Sequence, residues 1–329
     1  MHPLRDFLEQ MDIVHPVTFT VIFLLASWLM IWRLEAMLRH GLEGTALGTL
    51  VVPYCSGLGN LIFVFILWRD QGAPVEIMVN SLVNNVTNLT LLLGLPALLW
   101  PLQVVTTRGK AKADRRHQQL SRLALLLTLA AVVFFTGLTW ALGRDGTLDR
   151  GDGFALIGVF LFWQCFQVFD VLKHNVQRSA GFGGAFYLDL VLIALGGWAI
   201  YESLDGLVVH LSALETGFFR AEHLGWITGW LLVLPNALLA FYYAWRKRAD
   251  IVYSSQIGDG HICIPLCLGV FAVMRPVPLP AFFLPAIAVL GGAVLVHAVC
   301  LLTTGRLPRP IAGALVAAYG WFVYTGLLQ

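Results

Sequence analysis

Residues 79–94 read VNSLVNNVTNLTLLLG and residues 253–269 read YSSQIGDGHICIPLCLG, and these two stretches decide how the chain is organised. Each is polar at its start, apolar at its end, and closes on a glycine, Gly94 or Gly269. Each also follows a similar segment. Residues 57–70 read GLGNLIFVFILWRD, and residues 233–250 read VLPNALLAFYYAWRKRAD. With Asn60 set against Asn236, a Trp-Arg pair follows in both (Trp68-Arg69, Trp245-Arg246), and the closing glycines fall 34 and 33 residues on. The joint spacing points to an internal repeat whose second and third elements carry unusual polarity.

Outward from these stretches the chain is overwhelmingly apolar. Hydrophobic residues make up 58% of its 329 positions and charged residues 12%, against roughly 25% charged in soluble domains. Most of the surface therefore does not meet water. A bilayer span needs about 20 mostly apolar residues. That criterion predicts spans near 17–37, 43–69, 76–100, 120–142, 152–173, 184–204, 222–245, 250–274, 279–302 and 309–327. The fold expected is an all-α polytopic membrane protein of ten transmembrane helices. It forms one integrated membrane domain with a first five-helix repeat over 1–178 and a second over 179–329. Five spans per half is an odd number, so the second repeat enters the membrane inverted, and substrate is expected at the midplane between repeats.

Basic residues divide unequally between the loops. On one side fall Arg33, Arg39, Arg108, Lys110, Lys112, Arg115, Arg116, Arg122, Lys173, Arg178, Arg246, Lys247, Arg248, Arg306 and Arg309, fifteen of the 21 Lys and Arg. On the other fall Arg5, Arg69, Arg144, Arg150, Arg220 and Arg275. Positive charge stays inside, so both termini are expected outside the cytoplasm, and the basic stretch TTRGKAKADRRHQQLSR (106–122) reads as a cytoplasmic loop. No cleavable signal peptide is expected from the polar start HPLRDFLEQMD. The location implied is a bacterial inner membrane or another plasma membrane. A net charge of +2 argues against a nucleic-acid partner, and the partners expected are the lipid bilayer and a small inorganic ion. Five cysteines (Cys55, Cys165, Cys263, Cys267 and Cys300), all within apolar stretches, are no disulfide framework.

Asn80, Asn84 and Asn88 recur at intervals of four, one face of a helix, with Asn85 beside them. Amides in hydrocarbon need partners, so this stripe should face the protein interior; hydrogen bonding between helices is the plainer reading. In the eighth span Gly258, Gly260 and Pro265 are expected to weaken or break the helix around Asp259 and His261. An ionisable residue at membrane depth is a functional candidate. Asp259 and His261 are also the proton-coupling candidates, although, two residues apart, they could pair only if the helix breaks there. Cys263 and Cys267, with His261 near, could suit a soft metal, but buried Cys is more often a packing residue, and no metal or cofactor is assigned. Asp170, Asp189 and Glu202 fall in the fifth and sixth spans, and His297 reads as a hydrogen-bonded core residue.

This pattern resembles the cation/calcium exchanger superfamily, whose members have ten helices as five plus five inverted. The family's repeated motifs lie on helices 2–3 and 7–8. Here they correspond to Cys55-Ser56-Gly57-Leu58-Gly59-Asn60 with Asn80, Asn84, Asn85 and Asn88, and to Leu234-Pro235-Asn236 with Gly258 to Cys263. The resemblance places Asn60 and Asn236 where the family has its two essential glutamates. Asn84 and Asp259 stand at its serine positions, Asn88 at an asparagine, and Cys263 where Asn or Asp is usual. It implies that Asn60, Asn84, Asn88, Asn236, Asp259 and Cys263 line a central ion site, with the first helix of each half sliding across it. Calcium wants six to eight oxygens, usually several of them carboxylates. One carboxylate favours sodium, potassium or a proton over calcium. The leading expectation is a secondary active antiporter with altered ion selectivity; the alternative is a transport-inactive relative acting as a membrane partner or assembly protein. No HExxH or GxSxG constellation is present, so an enzyme is not expected.

The loop charges carry a direct test. A reporter that is active only outside the cytoplasm, fused after Gln329, should be active, and the same reporter inserted after Lys110 should be silent.

Overall fold

The computed structural model describes residues 15–37, 57–105, 112–174, 184–214 and 221–327, with positions 7, 8, 10, 11, 54 and 218 besides. Most of the first part of the expected second span, with Cys55 and Ser56, lies outside the described residues. So do the 178/179 boundary between repeats and Arg5, Arg39, Arg108, Lys110, Arg178 and Arg220.

The helices are α1 (Pro16–Met37), α2 (Leu58–Arg69), α3 (Val75–Leu99), α4 (Lys112–Leu142), α5 (Arg150–His174), α6 (Gly184–Ser212), α7 (Leu224–Trp245), α8 (Ala249–Met274), α9 (Phe283–Thr303) and α10 (Arg309–Leu327). Among the described residues, nine are long and apolar enough to cross a membrane, and α2 is a shorter apolar helix. Nine of the ten expected spans fall on these helices with small shifts, and the described part of the second falls on α2. Two expectations need correction. Residues 112–122, read as loop, are the first turns of α4, because the basic run holds helix formers and no Gly or Pro from Lys112 on. The sixth span runs on to Ser212, since Glu202 and Asp205 are buried and do not end the helix.

The α3 and α8 helices are the most buried, with more than three-quarters of their spanning windows inside the protein. They end alike. Trp100 and Arg275 adopt extended backbone, each just before a proline (Pro101, Pro276). The residue before proline is driven out of the α region, so the sequence itself stops both helices. The α1 and α6 helices pack on each other antiparallel at the periphery. Arg33 near the end of α1 pairs with Asp189 near the start of α6 (3.3 Å), and Phe19 near the start of α1 meets His210 near the end of α6. On opposite faces of the bundle, short backbone ladders join loops. Thr147–Leu148 pairs antiparallel with Val277–Pro278, and Gln103 bridges Arg306.

Close helix approach depends on glycine. Where α5 crosses α8, a Cβ on Gly153 would lie 2.7 Å from the Val273 nitrogen and 2.8 Å from the Gly269 oxygen. Where α7 crosses α3, a Cβ on Gly225 would meet the Glu76 oxygen at 2.5 Å, and one on Gly229 would meet Val83 Cβ at 2.8 Å. Without a hydrophobic drive between helices in lipid, such small-residue contacts set the packing. Gly153→Ala should therefore lower thermal stability in detergent by ~1–3 kcal/mol despite alanine's better helix propensity. Gly158→Ala, on the same helix with open space around it, should be neutral or stabilising.

Candidate functional site

Both buried helices change winding in the middle. Thr87–Leu91 of α3 and Ile262–Cys267 of α8 are π-helical turns. The turns begin 175 positions apart, as do the closing glycines and terminating prolines. A π turn is uncommon and collects at functional sites. Pro265 accounts for the second, since it lacks the N–H a regular helix needs; no proline lies within the first. The expectation of a broken eighth helix is thereby corrected: the chain stays helical through Gly258 and Gly260 and is only widened after His261.

The asparagine stripe lies inward and forms a chain of amides. Asn84 Nδ2 donates to Asn60 Oδ1 (3.4 Å), and Asn88 Nδ2 donates to Asn84 Oδ1 (2.9 Å) and to Asp259 Oδ2 (3.0 Å). Asn80 Nδ2 donates to Thr228 Oγ1 (3.0 Å) on α7. All five of these amide and carboxylate residues are buried, with at most 2% of their surface exposed. The amides of Asn84 and Asn236 also face the Asp259 carboxylate. Cys263 follows Asp259 by four residues and is fully buried; its carbonyl accepts the Ser81 hydroxyl (3.3 Å).

Asn60 and Asn236 both line one cleft, with Ser27 and Met30 of α1, Ile200 of α6 and Leu232 of α7. The cleft holds about 380 Å³ of empty space, part of it open to the outside, between the α1–α6 pair and the core.

Six residues were expected at the site. Asn60, Asn84, Asn88 and Asp259 are joined by hydrogen bonds, Asn236 shares the cleft with Asn60, and Cys263 sits one turn beyond Asp259. His261 does not join them, which corrects its pairing with Asp259. Its Nε2 contacts the Thr128 carbonyl of α4 (3.1 Å), and its ring stands edge-on to Phe135 and Trp163. Residues 259 and 261 lie about 200° apart around a helix of 3.6 residues per turn, and the helix is intact between them. His297 is a hydrogen-bonded core residue, contacting the Leu89 carbonyl (2.8 Å) within the first π turn and the Tyr253 hydroxyl (3.2 Å). Among the described residues, no three His, Cys, Asp or Glu converge as metal ligands.

Two residues went unread in the sequence. Ser27 enters the cleft from α1, with no polar pattern around it to mark it. Gln256 is fully buried, and its Nε2 donates to the Asn236 carbonyl (3.2 Å). It lies one turn before Asp259, a spacing that could have flagged it.

The balance of donors and acceptors is uneven. Asn80 Oδ1, Asn88 Oδ1, Gln256 Oε1 and Asp259 Oδ1 are buried and complete no hydrogen bond, and the Asn85 amide makes none through either atom. Unpaired oxygens thus outnumber unpaired nitrogens five to one among these residues. Burying acceptors without partners is costly, and a dehydrated cation is what such a set could hold.

The sequence model of the family described as sodium/calcium exchanger protein matches residues 13–169. Solved structures of the sodium-calcium exchanger NCX_Mj have the same fold. The form soaked with 2.5 mM Na+ and 1 mM Sr2+ is 17% identical, covering 94% of this chain and 97% of that one, with a TM-score of 0.66. The form soaked with zero Na+ and Ca2+ is 18% identical, with coverage of 95% and 99% and a TM-score of 0.66. No curated protein matches the chain. With nine helices among its described residues long and apolar enough to cross a membrane, this chain is an integral membrane protein that shares the fold of NCX_Mj and, over residues 13–169, matches the sodium/calcium exchanger family model.

Proposed function

We propose that the chain is a secondary active cation antiporter. Its two inverted five-helix repeats, 1–178 and 179–329, would enclose a site for a monovalent cation or a proton. The observation that carries this reading is the excess of unpaired buried oxygens around one carboxylate, Asp259. Asn88 Oδ1, Asp259 Oδ1 and Gln256 Oε1 are the ligands we assign first. Asn84 and Asn236 face the carboxylate, Asn84 also donates to Asn60, and Asn60 and Asn236 line the cleft by which an ion arrives. Cys263 lines the site beside Asp259 without supplying a hard oxygen from its side chain. NCX_Mj is described as a sodium-calcium exchanger, but here amides stand at the places the resemblance gives to glutamates. One negative charge balances one monovalent cation, and a divalent ion would leave net positive charge in a medium that does not solvate it.

The test is transport in proteoliposomes with sodium, potassium, proton and calcium gradients imposed in turn. Flux should follow one of the first three and be lost in Asp259→Asn. No flux under any gradient, with a protein partner recovered in mild detergent, would instead favour a transport-inactive assembly protein. Gln256→Leu should raise the half-saturating cation concentration by about three- to tenfold, the loss expected for one ligand oxygen. The double variant Asn60→Glu/Asn236→Glu should bind calcium at least about tenfold more tightly than the parent, as read by titration calorimetry.

A further inference from the structure

The peripheral pair α1 and α6 is tied to the core at two points, one at each end. At the end where α1 finishes, the Tyr243 hydroxyl of α7 donates to the Glu35 carboxylate of α1. The Arg33–Asp189 pair joins α1 to α6 at this same end. Where α1 starts, Arg69 closing α2 reaches α6 instead. It donates to the buried Asp205 carboxylate and, at 2.7 Å, to the Tyr201 hydroxyl, while Asp70 steadies its guanidinium. Asp189 and Asp205 mark the two ends along α6, sixteen residues or about 24 Å apart. Between the ties lies the cleft, with Ser27, Asn60 and Asn236. One tie is made by the helix that carries Asn236, the other by the helix that carries Asn60.

We propose that these two ties are end latches that decide from which membrane face the cleft is open. Releasing Tyr243 from Glu35 lets the pair lift from the core where α1 ends, and releasing Arg69 from Asp205 lets it lift where α1 begins. The inference rests on the transporter reading, since only a carrier needs its cleft open alternately to two sides. The packing is suited to it. The α1–α6 pair carries its own internal ion pair and moves as a unit without breaking it. At the cleft it meets the core mainly through aliphatic and aromatic side chains such as Phe23, Met30 and Ile200, which slide without unpairing polar groups. The charged and polar ties seen across that boundary lie at its ends, where they set the balance between its positions.

A Ser27→Cys reporter tests this in sealed right-side-out and inside-out vesicles. Labelling by a membrane-impermeant maleimide is read by mass spectrometry on the peptide spanning position 27. Tyr243→Phe should speed labelling about fivefold from the face where α1 ends, and Asp205→Asn by a similar factor from the opposite face. Tyr201→Phe should shift it in the same direction as Asp205→Asn by a smaller factor. Faster labelling from the same face in both primary variants, or no change in either, overturns the proposal. Labelling of Cys267, buried and not among the site residues, marks a variant that has lost its fold; Glu35→Gln and Tyr201→Phe then carry the paired expectation, and a symmetric result in them overturns it. Labelling requires no transport, so a chain that carries no ion but displays opposite-face opening fails the transporter reading alone.

Discussion

Everything at the centre of this molecule follows from one constraint: an amide in the bilayer interior must find its hydrogen bonds within the protein. Four asparagines on α3 cannot face lipid, so they oblige α3 to sit in the middle of the bundle, walled by α7, α8, α9 and α10. Glu76, one turn before Asn80, continues the buried stripe, and its carboxylate caps the start of α7 by accepting the Gly225 N–H (2.6 Å). The stripe fixes where α7 stands, and α7 carries Asn236. Polar satisfaction thus positions the helices, and apolar packing fills in around them.

The π turns belong to the same logic. A widened turn leaves backbone carbonyls poorly served within the helix, and here donors arrive from neighbouring helices. His297 reaches the Leu89 carbonyl in the first turn and Ser81 the Cys263 carbonyl in the second. Each turn is anchored on another helix next to a residue of the proposed site, Asn88 in one case and Cys263 itself in the other. Asn85 adds a steric term. It meets α8 at Gly260, where a Cβ would fall 2.8 Å from its Oδ1. At the offset of 175 that aligns the π turns, residues 85 and 260 correspond, so a full side chain on one side requires none on the other. Gly260 is thus read as space for Asn85 and not as a helix breaker.

Much of this was legible in the sequence, and the reasons for what was not are physical. The spans were readable because bilayer thickness sets their length. The asparagine stripe was readable because a spacing of four residues puts groups on one helix face. The winding of α8 was misread because Gly258, Gly260 and Pro265 are breakers in water, whereas a buried helix in a membrane has no better place for its backbone than a bulged helix. That misreading carried His261 into the site; an intact helix turns it toward Thr128 instead. Gln256 is uncharged and sits among other polar residues, so apart from its spacing to Asp259 its burial against the Asn236 carbonyl has no local mark in the sequence. The end ties lie far apart in sequence, Arg69 to Asp205 and Glu35 to Tyr243, and nothing local announces them.

Amides lining the cleft where the resemblance places acids change more than charge. A glutamate left without its ion must be protonated or paired, because an isolated buried carboxylate is strongly disfavoured. An asparagine can turn either its oxygen or its N–H₂ toward a neighbour. The chain Asn60–Asn84–Asn88 uses that freedom: Asn84 donates back to the Asn60 oxygen, and Asn88 donates both to the Asn84 oxygen and to Asp259. The described residues here thus surround one carboxylate with donors, where two or three mutually repelling acids would have to be neutralised. A cation entering at Asp259 Oδ1 competes with no internal hydrogen bond, because that oxygen has none to lose. The polar chain from Asn60 ends on Asp259, the carboxylate at which we propose that a positive charge binds.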